Sequence, residues 1–305
     1  MEWEKRGRIF VPDGEMWWAK HYAFPPTPIF LDDKLRIYLA FCEEGPVGRI
    51  GYIDVNPNNL TDILDISEEP VLDIGPDGAF DENGVLPTRV IEVDGELYMY
   101  YVGYQIGDKV PYYQFEGLAI SHDRGESFSR CSNVPIIDRS DEGFCHRTSA
   151  FVMRDESVFK MWYVAGSDWT KVDGKTLPLY DMRYLESDDG LNWADEGTVC
   201  FELSGQDEHA FGRPWVTKED GTYHMIYSVR TRSKGYRLGY AVSADGLNWE
   251  RRDGDIGIDV SKNGWDSEII AYGSIVKNND QTYLLYNGNQ RGKTGFGYAV
   301  LKEGW

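Results

Sequence analysis

Apolar and polar residues alternate in short runs along the whole chain, and the same succession of runs returns five times. One run ends in aromatic residues and reads "LRIYLAF", "LYMYYVGY", "FKMWYVAG", "YHMIYSVR" and "TYLLYNGN" in its five copies. Another apolar run precedes each copy, and the link between the two is often Asp-Gly or a similar polar pair, which is typical of a tight hairpin. A third run follows, as in "RIGYIDV" and "GFGYAVL". The pattern predicts a repeated unit of antiparallel strands.

The spacing of the third run fixes the period of the repeat. Its equivalent positions are separated by 66, 66, 56 and 58 residues, and they are Gly51, Gly117, Arg183, Gly239 and Gly297. Four antiparallel strands repeated about every 60 residues are the signature of β-propeller blades. We therefore expect an all-β, five-bladed β-propeller with four strands per blade. Five units account for the chain, so residues 1–305 are expected to form a single domain.

A polar turn follows the third run in three units, as "SHDRGESF", "SDDGLNW" and "SADGLNW". Ser or Asp at such a turn can bond its own backbone two residues on, and Gly accepts the left-handed conformation. Phe128, Trp193 and Trp249 are then expected to pack at a blade edge or between blades. The turn resembles the Asp-box of sialidases, and we expect it to stabilise the fold far from the chemistry.

The two chain ends complement one another. The fifth unit stops at "GYAVLKEGW", without room for a fourth strand, whereas "EWEKRGRIFV" at the start resembles "NWERRDGDIGI" of the fourth unit. Trp3 then matches Trp249, and Arg6 matches Arg252. The N-terminal strand is predicted to join the last blade and close the ring, which removes an exposed strand edge.

Composition limits the partners that the chain can have. A net charge of -20 argues against nucleic acid or an anionic membrane as the main partner. No apolar run approaches the roughly 18 residues that span a bilayer, and the start has no signal-peptide core. The four cysteines are widely spaced and do not predict a zinc site. As thiols they favour a cytoplasmic location, because that compartment is reducing.

Acidic residues recur just before the innermost strand of four units. In a propeller this segment lies at the channel mouth, where ligands usually bind. The carboxylates at equivalent places are Asp81, Glu142, Glu208 and Asp266. Glycosidic cleavage needs one carboxyl as acid and a second carboxylate as base or nucleophile, so these four are candidate catalytic residues. In a chain with 51 Asp and Glu residues, a purely structural role remains the alternative for each of them.

Basic and aromatic residues lie in the same segments and are candidates for substrate binding. Arg suits an anionic group because its planar fork bonds two oxygens at once, and tryptophan can stack on a sugar ring. Packing at the blade tops is an equally good explanation for the tryptophans. The candidates are His21, Arg89, His146, Arg147, His209, Arg213, Trp265, Glu268 and Trp18.

The repeats, together with "GVLPTRVIEVDGELYMYYVGY" and "GRPWVTKEDGTYHMIYSVR", resemble the five-bladed propeller clan of carbohydrate-active enzymes. This clan comprises glycoside hydrolase family 43, invertases, levansucrases and β-mannoside phosphorylases. The resemblance implies an Asp base in the first blade, a tuning Asp in the second and a Glu acid in the third. Asp81 then matches the second-blade Asp and Glu142 the third-blade Glu, with Glu208 as the competing acid. It predicts no required cofactor; the clan's structural calcium ion has no signature here.

The first unit departs from the pattern of this clan. Its segment "MWWAKHYAFPPTP" has Lys20 and His21 where the Asp is expected, and the nearest carboxylate is Glu15. Either a base comes from elsewhere, such as Asp266, or a basic cluster holds phosphate as the nucleophile, as the resemblance to phosphorylases implies. The sequence thus predicts an enzyme that cleaves or transfers a glycosyl unit on a sugar, glycan or sugar phosphate. The alternative is a non-catalytic propeller that binds a sugar or sugar phosphate.

Overall fold

The computed structural model describes residues 1–43 and 47–304, and nearly all of its regular structure is β-strand. The strands form two four-stranded sheets and one twelve-stranded sheet, which we divide in chain order into units 1 to 5 of consecutive antiparallel strands. The chain begins with β1 (Glu2–Phe10). Unit 1 contains β2 (His21–Leu31), β3 (Lys34–Cys42), β4 (Gly48–Asn56) and β5 (Asn59–Ile66).

The next two units follow the same order. Unit 2 contains β6 (Val85–Val93), β7 (Glu96–Ile106), β8 (Tyr112–Ser121) and β9 (Ser129–Arg130). Unit 3 contains β10 (His146–Asp155), β11 (Val158–Val172), β12 (Lys175–Ser187) and β13 (Thr198–Phe201).

Short helical turns accompany the strands of the last two units. Unit 4 contains β14 (Glu208–Glu219), β15 (Thr222–Thr231), β16 (Gly235–Ser243) and β17 (Glu250–Arg251), followed by a 3₁₀ turn at Asp253–Asp255. Unit 5 contains β18 (Ala271–Asn278), β19 (Gln281–Asn287), the single turn α1 (Asn289–Gly292) and β20 (Phe296–Glu303).

The predicted hairpins have the expected turn chemistry. Asp94 and Gly95 join β6 to β7 with φ angles of 51° and 90°, and Asp220 and Gly221 join β14 to β15 with 47° and 81°. Two successive residues with positive φ form the turn that matches the twist of a two-residue hairpin. The polar pairs between apolar runs therefore set the register of the first two strands.

The N-terminal strand completes unit 5. β1 pairs antiparallel with β20, and Trp3 lies opposite Leu301. The prediction that the first residues supply the outer strand of the last unit is confirmed by this pairing. The innermost strands β2, β6, β10, β14 and β18 contact one another in this order, and β18 also contacts β2.

Apolar side chains pack between neighbouring units. Tyr38 and Met99 share one cluster between units 1 and 2, and Tyr100 and Met161 share another between units 2 and 3. Parallel pairing of β8 with β10 and of β12 with β14 joins units 2, 3 and 4 into a single twelve-stranded sheet. The core is thus a set of layers between units.

The Asp-box turns join neighbouring units by a recurring hydrogen bond. In unit 3 the Oδ1 atom of Asp189 accepts the backbone N–H groups of Leu191 and Asn192 at 2.9 and 2.8 Å. The carbonyl of Gly190 accepts the hydroxyl of Tyr100 from unit 2 at 2.9 Å. In unit 4 the carbonyl of Gly246 likewise accepts the indole N–H of a unit 3 tryptophan at 2.7 Å. The structural role predicted for this turn is confirmed.

Candidate functional site

Asp81 is buried in an ion pair that belongs to unit 2 itself. Its Oδ2 atom accepts the Nε–H of Arg130 at 2.7 Å and the hydroxyl of Tyr101 at 3.1 Å. Tyr101 lies on the second strand of the unit and Arg130 on its outer strand. The carboxylate therefore joins two strands of one unit.

The other repeated carboxylates make the same kind of contact. Glu142 accepts Arg147 Nε at 2.8 Å, Arg183 at 2.9 Å and the hydroxyl of Tyr163 at 2.5 Å. Asp266, in unit 5, accepts Lys5 Nζ at 2.6 Å from the N-terminal strand. The hydroxyl of Tyr286 donates to the same Asp266 oxygen at 3.0 Å.

Glu208 completes the set, because it forms a two-pronged ion pair with Arg251 at 2.6 and 2.9 Å. In units 2, 3 and 5 an acid, a tyrosine and a base recur together, so the repetition seen in the sequence is real and its cause is structural. Asp81, Glu142, Glu208 and Asp266 do not line the central cavity of the protein, and their catalytic role stays a prediction. Each carboxylate turns toward the basic side chains around it.

A cavity of about 500 Å³ lies where the innermost strands meet, and all five units contribute to its wall. Ligand sites for small molecules typically enclose roughly 300–1,000 Å³. The basic side chains of the wall are His21, Arg213, Arg230, Arg291 and Lys293. Its aromatic side chains are Tyr22, Phe24, Tyr104, Tyr112, Tyr180, Phe211, Tyr236 and Tyr272. Within the described residues, no Asp or Glu lines this cavity.

Three cavity residues on the innermost strands of units 3, 4 and 5 share an unusual backbone conformation, which Tyr22 and Arg291 in the same cavity also have. Ser149, Arg213 and Tyr272 have φ angles of 57°, 50° and 59°, and each lies in a bulge of the innermost strand of its unit. Left-handed conformations of residues other than glycine are uncommon and cost free energy, and they concentrate at functional sites. The bulges bring the residues of three units to the cavity at equivalent positions.

Arg213, in unit 4, forms hydrogen bonds to units 1 and 2 at the floor of the cavity. Its guanidinium donates to the carbonyl of Pro26 and to the hydroxyl of Thr27 at 2.9 Å each, and also to the carbonyl of Thr88. Burial and the nearby Arg89 lower the pKa of Arg213 to about 9. Among the described residues, no carboxylate lies within ion-pair distance of it. Within the described part of the chain, no carboxylate in the cavity wall therefore faces the positive charge of Arg213.

Two further arginines and several phenols form the opposite wall. Arg230 donates to the hydroxyl of Tyr180 at 2.7 Å and lies 5.0 Å from the ring centre of Tyr236, while its Nε–H has no hydrogen-bond partner. Arg291 lies on α1, where its φ of 58° is again left-handed. The hydroxyls of Tyr236 and Tyr272 are 3.4 Å apart. Guanidinium groups with free N–H donors and no facing carboxylate are suited to bind an anion.

Two of the three candidate histidines, His146 and His209, do not line the cavity and lie behind its wall. His146 is buried among the rings of Tyr112, Trp169 and Tyr180, at centroid distances of 5.4, 5.0 and 5.5 Å. Burial, and then Arg230, lowers its pKa to about 3. His209 lies 3.1 Å from the carbonyl of Pro178, and burial lowers its pKa to about 4. Both imidazoles are neutral at physiological pH and support the wall.

The remaining candidates have structural surroundings. Arg89 is half-buried and lies 4.7 and 4.8 Å from the ring centres of Phe151 and Trp215. Arg147 pairs with Glu142 as above. Trp18 donates to the carbonyl of Glu68, and Trp265 stacks on Tyr286. Glu268 is exposed, with its backbone bonded to Asn289 and Arg237. Of the nine candidates for substrate binding, His21 and Arg213 line the cavity, and the others do not because they pack between strands or face away.

A carboxyl group that the sequence analysis overlooked lies beneath the cavity floor. Glu116, on β8, is fully buried, and it bonds the hydroxyl of Thr88 and the backbone N–H of Ala150, the latter at 3.2 Å. Burial raises its pKa to about 8. The equivalent residues of the other units, one position before the repeated Gly or Arg, are Ile50, Met182, Leu238 and Phe296. An acid at a position that is apolar in the other four units is the sequence signal that could have identified Glu116.

Three further expectations concern metals, thiols and membranes. Among the described residues, no group of three His, Cys, Asp or Glu side chains is placed to hold a metal ion. All four cysteines are free thiols, with Cys42 and Cys145 buried. Within the part of the chain that the structure describes, no helix has the length and apolar character needed to cross a bilayer.

Comparison with known proteins identifies a relative over the full length of the chain. Protein Rv1502 of Mycobacterium tuberculosis is 34% identical over 304 residues, which cover 99% of this chain and 100% of the relative. The chain belongs to the Rv1502 family. A second Mycobacterium tuberculosis protein, MT1551, matches this chain of the Rv1502 family with the same identity and coverage. No family model matches the chain.

Solved structures show the fold of the Rv1502-family chain. A glycoside hydrolase matches with a TM-score of 0.75 and 20% identity, over 97% of this chain and 90% of the hydrolase. A thermostable family-43 glycoside hydrolase matches with a TM-score of 0.71 and 17% identity, over 96% of this chain and 94% of the hydrolase. A structure from the GH130 family of mannoside phosphorylases matches with a TM-score of 0.72 and 15% identity, over 98% of this chain and 93% of the matched chain. The chain therefore has the propeller-type fold of this glycosidase clan.

Proposed function

We propose that the chain binds an anionic saccharide, such as a sugar phosphate or a uronic acid, in its central cavity. The observation that carries the proposal is the composition of the cavity wall. Three arginines, a lysine and a histidine line it, and among the described residues no carboxylate does, although the chain has 51 acidic residues. A local positive potential in an acidic protein selects an anionic ligand.

The aromatic part of the wall suits the rest of the ligand. Six tyrosines and two phenylalanines present apolar faces and hydroxyl groups to the same space. Small-molecule sites combine such surfaces with a few polar groups that fix orientation. The shared fold with glycoside hydrolases and mannoside phosphorylases supports a saccharide as the ligand class.

We also propose that the five units form a closed, five-bladed propeller around this cavity. The pairing of β1 with β20 and the contact of β18 with β2 support closure. The number of five blades is supported by the cavity wall, to which all five units contribute residues.

A phosphorolytic or glycosyl-transfer enzyme is the second candidate function. Hydrolysis by two facing carboxylates requires both groups at the reacting centre, and the wall offers neither. A phosphate nucleophile held by Arg230 and Arg291 would need only one carboxyl group. The observation that favours this candidate is the cluster of wall arginines, which can hold phosphate; Glu116 lies behind the wall and reaches it only through Thr88.

The test measures binding of glucose 1-phosphate, galacturonic acid and glucose by isothermal titration calorimetry. We expect the two anions to bind and glucose to bind at least about tenfold more weakly, which is roughly 1.4 kcal/mol. Arg230→Gln and Arg291→Gln should each reduce anion affinity by at least about tenfold. Arg252→Gln is the matched control, because Arg252 is a surface arginine that pairs with Glu250 outside the cavity.

Equal binding of glucose and glucose 1-phosphate would contradict an anion site, and so would an equal loss of affinity in the control variant. Mass spectrometry of the protein with candidate glycosides and inorganic phosphate separates the two functions. A glycosyl phosphate product establishes the enzyme, whereas binding without product establishes the binding protein.

A further inference from the structure

We propose that Glu116 is a positioning residue whose proton sets the affinity of the cavity for an anion. The inference rests on the proposed function and adds a coupling between ligand binding and proton uptake. It begins from a departure from the repeat: a carboxyl group occupies a position that is apolar and buried in the other four units.

Glu116 holds the cavity floor through neighbours on two adjacent strands. Thr88 on β6 and Ser149 on β10 line the cavity, and Glu116 bonds the hydroxyl of the first and the backbone N–H next to the second. The carboxyl group therefore lies one layer behind the wall and does not touch the ligand itself. Its hydrogen bonds also support the bulge in which Ser149 has a left-handed conformation.

The charges around Glu116 are few. Arg213 on β14 faces it and favours its ionised form, and Tyr100 on β7 is the other titratable neighbour. Arg89 and Tyr272 lie next to Arg213. Neither Arg213 nor Arg89 has a carboxylate within ion-pair distance in the described part of the chain. Glu116 is therefore the acid whose ionisation offsets the positive charge of the floor.

An anion in the cavity changes this balance. The anion repels the negative charge of ionised Glu116, and it weakens the attraction between that charge and Arg213. Both effects favour protonated Glu116 in the complex. Linkage makes the effect reciprocal: a protonated Glu116 must strengthen anion binding by the same factor. Because the pKa of Glu116 is about 8, the proton equilibrium lies where a moderate rise in pH changes the affinity.

The experiment titrates glucose 1-phosphate into the protein by calorimetry from pH 7 to pH 9.5. Its phosphate is a dianion throughout, since the second phosphate pKa is about 6. We expect wild-type affinity to fall about tenfold over this range, with proton uptake seen as a dependence of the binding heat on the buffer. Glu116→Gln, which mimics the protonated acid, should lose less affinity than wild type over this range and take up fewer protons. The difference between the two proteins is the quantity to compare, because Arg213, with a pKa of about 9, titrates in both.

Glu82→Gln is the matched control, because Glu82 is a carboxylate of the same unit that bonds Gln105 outside the cavity. It should keep the wild-type pH dependence. A flat wild-type profile with tight binding would overturn the coupling and leave the proposed function intact. Failure of every anionic sugar to bind would overturn the proposed function.

A measurement on the wild-type protein without any sugar keeps the inference testable if no anionic sugar binds or if Glu116→Gln does not fold. Carbon-13 NMR of labelled glutamate follows the Glu116 carboxyl of the wild-type protein against pH, with and without inorganic phosphate. A midpoint near 8 that moves up with phosphate supports the coupling. A midpoint near the ordinary value, or one that phosphate leaves unchanged, refutes it.

Discussion

Replacement of Glu116 by glutamine tests whether the native protein holds a proton beneath its cavity. The folded-state pKa is raised by burial to about 8, whereas the ordinary value is 4.5. Between these values the folded protein binds one proton that the unfolded chain does not. The stability contributed by the protonated acid is thus complete below pH 4.5 and is lost as the pH rises through 8.

The magnitude follows from linkage. Each pH unit in this window lowers the free energy of unfolding of the wild-type protein by about 1.4 kcal/mol, so roughly 4 kcal/mol is lost between pH 5 and pH 8. Glutamine keeps the geometry, because its amide oxygen can accept from Ala150 N–H and its amino group can donate to Thr88. It carries no charge at any pH, so the variant lacks this slope.

The assay is guanidinium unfolding at fixed ionic strength, in steps from pH 5 to pH 9. The difference in unfolding free energy between Glu116→Gln and wild type is the quantity to follow, because other titrating groups cancel in it. We expect the difference to rise by about 1.4 kcal/mol per pH unit and to level off above pH 8. Glu82→Gln should give a flat difference, since hydrogen bonds from Gly78 and Gln105 lower the pKa of that exposed carboxyl. A flat difference for Glu116→Gln as well would show that Glu116 is ionised in the native protein, and the reasoning would fail.

Three further outcomes are expected. Gly190→Ala should destabilise the protein by about 1–3 kcal/mol more than Gly174→Ala in thermal unfolding, because a Cβ at Gly190 meets the Tyr100 hydroxyl at 2.7 Å, whereas Gly174 has open space and a similar φ. Glu142→Gln should cost about 3–5 kcal/mol, since the buried Arg147 loses its carboxylate partner whereas the half-buried Arg183 keeps Asp181, and should leave glucose 1-phosphate affinity unchanged. His146→Phe should reduce the loss of stability below pH 6.5 measured by acid titration, because its lowered pKa means that unfolding takes up a proton there.

Local chemistry could be predicted from the sequence because a repeat places equivalent residues at equivalent sites. The Asp-Gly hairpins and the Asp-box turns have the conformations their residues demand, and Trp3 pairs as its match to Trp249 predicted. The side chain of Asp81 could not be placed in the same way. Its position before the innermost strand is as expected, but only the structure shows that it turns toward Tyr101 of its own unit.

The symmetry of the repeat explains why the recurring carboxylates do not line the cavity and which kind of residue does. A residue type that recurs in every unit satisfies a need that every unit shares, such as joining its own strands, as the acid, tyrosine and base do. A small ligand in a cavity common to five units is asymmetric, so the groups that bind it must differ between units. Arg230 lies three residues beyond the repeated tyrosine, where other units have Tyr104, Gly166 and Asn289. Glu116 likewise differs from the residues at the equivalent positions of the other units. In a chain built of repeats, residues that depart from the repeat therefore indicate function better than residues that recur in it.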